Sequence, residues 1–96
     1  MAVTHIVWIK FRDVVAQPSI DKHVAALTSL EHSVPGIVQL TIGENFTERA
    51  EGYTHGLVVI LDDKAALTTY ATHPRHVEVA TALREDADIL ALDYEC

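Results

Sequence analysis

The chain predicts an α+β domain in the order β-α-β-β-α-β, and three features of its 96 residues lead there. Four short runs rich in β-branched and aromatic residues have the length and composition of strands. Between them lie segments whose apolar residues recur at helical spacing. The first and third strand runs are apolar on both faces, so each expects cover on two sides. An apolar fraction of 49% with 22% charged residues suits a folded globular chain and is too apolar for disorder. Ninety-six residues make one domain, here residues 1–96, with a core of modest size.

Residues 4–11, THIVWIKF, form the first strand, with His5, Val7, Ile9 and Phe11 on one face and Ile6, Trp8 and Lys10 on the other. A turn over 13–18 follows. Ser19 is then the expected N-cap of a helix running to about Val34. Its apolar stripe is Ile20, Val24, Leu27, Leu30 and Val34, and Pro35-Gly36 ends it. Residues 37–43 are the second strand, with Val38, Leu40 and Ile42 on one face. The polar stretch 44–51 reads as a loop. Residues 53–61 form a third, nearly continuous apolar strand. Asp62-Asp63 caps a helix with Ala66, Leu67, Tyr70 and Ala71 inward. Pro74 starts a further helical segment, striped by Val77, Ala80, Leu83 and Ala87, and residues 89–95 close the chain as a fourth strand. This is the split βαβ, ferredoxin-like plan: an antiparallel sheet with helices on one face. Helices on one face leave the apolar residues of the other uncovered, Trp8 among them. A homodimer with two sheets packed face to face is the expected solution.

Charge and cysteine content exclude several roles. Fourteen acidic against seven basic residues give a net charge of −7, and the basic residues are scattered. Nucleic acid is not an expected partner, because binding phosphates needs clustered Lys and Arg. Cys96 is the single cysteine, so neither an internal disulfide nor a cysteine zinc cluster can form. No leader pattern precedes Thr4 and no apolar run approaches the ~20 residues that span a bilayer, so no membrane partner and a cytoplasmic location are expected.

Chemistry concentrates between Gly52 and His76, where an apolar strand is followed by Tyr70, His73 and His76. A histidine, with its ordinary pKa near ~6.5, can act as a general base at neutral pH. A tyrosine hydroxyl sheltered from water can hold a developing oxyanion. Six residues of unbroken helix turn through ~600°, so Tyr70 and His76 would not point together without the break at His73-Pro74. The candidate catalytic pair is His76 as base and Tyr70 as donor. The structural alternative makes Tyr70 a core aromatic and His76 a helix-start residue bonded to a free backbone group. His5, Val7, Ile9, Val24, Leu27, His55 and His73 form the candidate substrate-binding set. His73 and His76 lie at i, i+3 with His5 as a third imidazole, but no Asp or Glu is evidently placed to complete a zinc site, so no metal is expected.

Five motifs coincide along the chain: HIVWIKF at 5–11, PGI at 35–37, GYTH at 52–55, TYATHPRH at 69–76 and LALDYE at 90–95. Together they resemble the stress-responsive α/β-barrel (Dabb) family. The resemblance implies a dimeric α+β barrel. Through the family's polyketide cyclases it also implies aldol closure of a poly-β-keto thioester without a cofactor, on a small apolar carbonyl-containing ligand. The catalytic Tyr and His of those cyclases match Tyr70 and His76, and two further histidines match His5 and His55. One departure matters. The resemblance implies aromatic residues lining the pocket from the first helix, and these have no counterpart in HVAALTS, residues 23–29. Other family members are stress-associated oligomers without assigned activity. A cyclase-like enzyme and a non-catalytic binding or oligomeric protein are therefore the two function classes expected.

Overall fold

The computed structural model describes residues 1–96. Strand β1 (Val3–Phe11) leads into helix α1 (Gln17–Ser33), then strands β2 (Ile37–Glu44) and β3 (His55–Leu61). Helices α2 (Lys64–Thr72) and α3 (Pro74–Asp86) follow, and β4 (Ala87–Glu95) ends the chain. The four strands form one antiparallel sheet in the order β2-β3-β1-β4. This is the ferredoxin-like plan, with the three helices on one face.

The core lies between that face and the helices. Val3, Val7, Ile9 and Phe11 of β1 meet Leu57, Val59 and Leu61 of β3, under Leu27 and Leu30 of α1 and Val79 and Leu83 of α3. The opposite sheet face is bare. Cross-strand pairing sets Trp8 opposite Leu90 and Ile6 opposite Leu92. Trp8 is 45% exposed, Leu90 56% and Leu92 63%.

Local sequence explains most of the boundaries and several departures from expectation. Helix α1 begins two residues before Ser19, with Ala16 as a cap that makes no side-chain bond, because Pro18 in its first turn needs no amide partner. Strand β3 begins at His55 rather than residue 53, and β4 begins at Ala87 rather than residue 89. A register shift between Ile37 and Gln39 drops Val38 out of the β2–β3 ladder, so Val38 is exposed while Leu40 stays in the core. Val77, expected on the inner stripe of α3, is also exposed, and Val79 is buried instead. Ala80 and Leu83 are buried as expected, so the buried face of α3 is centred on Val79, Ala80 and Leu83 and leaves Val77 at its edge. Gly36 has φ +90°, and a Cβ there would meet the Ala66 Cβ at 2.8 Å. Only glycine permits both the turn and this close approach of α2.

Candidate active site

Tyr70 and His76 come together because two helices meet at an angle between them. Asp63 caps α2 by accepting from the Ala66 amide, and α2 ends two residues after Tyr70. His73 is extended (φ −62°, ψ 132°), the conformation favoured before a proline. Its Nδ1 accepts from the Arg75 amide at 3.1 Å, so this side chain caps α3. His76 sits in the first turn of the redirected helix. The phenol and imidazole ring centroids are 4.2 Å apart, with planes inclined at 42°.

Beneath them lies a cavity of about 310 Å³ between the helices and the sheet, lined mainly by apolar side chains. Tyr70 is buried, yet its hydroxyl makes no hydrogen bond within the chain, and no sealed side-chain polar atom lacks a partner. The hydroxyl therefore opens onto the cavity. His5 joins this group from β1, its ring centroid 5.5 Å from that of Tyr70. Pairing of β1 with β4 places Asp93 directly across from His5. The His5 Nδ1–H donates to Asp93 Oδ1 at 2.5 Å.

Hydrogen bonding and burial give the two central groups distinct states. His76 Nδ1–H donates to the Ala71 carbonyl at 3.3 Å, which leaves Nε2 as the basic nitrogen. Burial is the main cause lowering the His76 pKa below its ordinary value; the Ala71 bond opposes it, and the proximity of His5, Arg84 and His73 reinforces it. The imidazole is thus neutral and able to accept a proton at neutral pH. Burial pushes Tyr70 up to about 12, so its hydroxyl stays protonated as a donor.

Of the residues singled out from sequence, His5, Val7, Leu27, Tyr70 and His76 line this one cavity. Ile9, Val24, His55 and His73 do not. Ile9 is fully buried in the core. Val24 is only partly covered on α1 and does not reach the cavity wall. His55 lies edge-on to Phe11, with ring centroids 5.1 Å apart, and contacts Thr54 Oγ1 at 2.9 Å. It pairs next to Ile9 on the sheet, four positions along β1 from His5, or roughly 13 Å. His73 serves as a cap. No three His, Cys, Asp or Glu side chains are grouped to hold a metal ion. Sequence reasoning missed two polar lining residues, Asp93 and Arg84. Alternation in β4 could have shown the first, since Asp93 falls on the same face as Ile89 and Ala91.

The model of the stress-responsive A/B barrel domain, Dabb, matches residues 3–96. The chain belongs to the Dabb family. Among its relatives is olivetolic acid cyclase from Cannabis sativa, 27% identical over 97 residues that cover 98% of this chain and 96% of the cyclase. A stress-response A/B barrel domain-containing protein from Arabidopsis thaliana is also 27% identical, over 97% of this chain and 88% of its own. Among solved structures, a dimeric ferredoxin-like protein from Jannaschia sp. CCS1 is 29% identical with a TM-score of 0.86, and the match covers 100% of both chains. This Dabb chain therefore resembles proteins with and without a named activity, to a similar degree.

Proposed function

We propose that this Dabb protein is a small acid/base enzyme that closes a ring in a carbonyl-rich molecule by aldol chemistry. The observation that carries the proposal is the meeting of an imidazole with a free nitrogen and an unpartnered phenol on one apolar cavity. His76 Nε2 removes a proton from the carbon between two carbonyls, and Tyr70 donates a hydrogen bond to the enolate oxygen that forms. The enolate carbon attacks a carbonyl further along the same chain, making the new carbon–carbon bond. The resulting alkoxide takes the proton back from the His76 imidazolium. Electrons are only redistributed within the substrate, so the step balances without an oxidant, a metal or a second reactant.

The similarity to olivetolic acid cyclase supports this reading. The functional unit is a homodimer, which the bare apolar sheet face and the dimeric state of the Jannaschia relative support. A second reading, a stress-associated barrel that binds or assembles without catalysis, is favoured by the equal identity to the Arabidopsis protein.

The two part on one measurement. Ring closure of a linear poly-β-keto thioester should proceed with the parent protein and fall at least ~100-fold in His76→Ala and in Tyr70→Phe. Their melting temperatures should stay within a few degrees of the parent. Equal rates in parent and variants, or none in the parent, would leave the non-catalytic reading.

A further inference from the structure

Helix α3 carries more than the base. His76, Ala80, Leu83 and Arg84 all line the cavity, at positions i, i+4, i+7 and i+8 of one helical face. Eight residues of helix rise ~12 Å. One wall thus has an imidazole at one end, a small and an aliphatic side chain in the middle, and a guanidinium at the other end. Arg84 is exposed, at the cavity mouth, and its guanidinium takes part in none of the chain's ion pairs or side-chain hydrogen bonds. The contrast with its neighbours is informative in a chain of net charge −7. Arg12 bonds the Glu85 carbonyl and Asp88, and Arg75 bonds Glu78. The one carboxylate lining the cavity, Asp93, is already engaged by His5.

We propose that Arg84 holds a carboxylate at the far end of the ligand, so that the cavity takes amphipathic keto acids. An apolar segment of the ligand lies over Ala80 and Leu83, and its reactive carbonyls lie at Tyr70 and His76. The planar fork of a guanidinium matches the two oxygens of a carboxylate. The inference rests on the reading of this cavity as the substrate site, and it adds the class of substrate.

Binding, measured apart from turnover, tests it. Isothermal titration calorimetry compares 9-oxodecanoate, whose ketone and carboxylate are separated by an apolar chain, with its methyl ester, on the parent protein and on Arg84→Gln and Arg84→Lys, each confirmed folded by its melting curve. The parent should bind the acid about fivefold to tenfold more tightly than the ester, a modest factor because the arginine is solvated. Arg84→Gln should lose that preference while keeping its affinity for the ester, and Arg84→Lys should recover part of it. Raising the salt to 0.5 M (roughly a Debye length of 4 Å) should shrink the preference in the parent. Equal binding of acid and ester by the parent, no binding of either, or a preference that survives in Arg84→Gln would overturn the proposal. So would displacement of the acid by coenzyme A in a manner dependent on Arg84, which would assign the arginine to carrier phosphates. His76→Ala and Tyr70→Phe should retain the preference for the acid. A protein that keeps it yet never turns over a substrate refutes the catalytic reading and leaves this one standing.

Discussion

An imidazole tied through Nδ1 to a carbonyl has one nitrogen left for proton transfer, and His76 is held in that state by Ala71. Because burial lowers its pKa, the active, neutral form persists below the ordinary pKa of 6.5. The acid limb of kcat/KM should therefore have its midpoint below 6.5, and a midpoint above it would rule out His76 as the base. Tyr70, pushed up to about 12, should cause no loss of rate up to pH 10. The same shifts affect stability. His55 and His76 both have lowered pKa values when folded, so the unfolded chain binds more protons as pH falls below 6.5. Their contribution is fully present above 6.5 and is lost as pH falls through the folded values. Melting temperature should thus fall between pH 7 and 5, and the fall should be shallower in a His55→Gln, His76→Gln double variant. An unchanged slope would show that other groups govern acid sensitivity.

At the scale of elements, the site depends on where α2 stops and α3 starts. Asp63 anchors the start of α2, whose far end carries Tyr70, by accepting from the Ala66 amide at 2.8 Å. Asp63→Ala should cost about 1 kcal/mol, lowering the melting temperature by about 4–8 °C in a domain of this size. The break itself was legible in sequence, because Pro74 disfavours a helical His73 whatever surrounds it. The edge of the buried face of α3 was not. Val77 and Val79 are equally apolar, and the docking of α3 on the sheet decided which one to bury. The exposure of Val38 was also hidden, since a bulge depends on the partner strand as well as on its own residues.

For the whole molecule, the bare sheet face is the dominant feature. Ile6, Trp8, Leu90 and Leu92 form one apolar patch, of the kind that subunit interfaces cover. A charge at its centre would have to be desolvated for two sheets to pack together. Trp8→Asp should therefore convert a dimer into a species of protomer mass in sedimentation velocity. A parent already of protomer mass would show that the face stays open.

Periodicity and local chemistry were sufficient for the element order, the layer arrangement and the kink at Pro74. Each depends on residues a few positions apart, whose backbone preferences hold in any surroundings. The contact of the Tyr70 phenol with the His76 imidazole also needed the docking of α3. Only the tertiary structure put Asp93 on His5, set Arg84 at the cavity mouth and left His55, Ile9, Val24 and His73 off the cavity wall. Those outcomes depend on strand register and helix docking. His5 and Asp93 lie 88 residues apart, and only the packing of the whole chain brings them together.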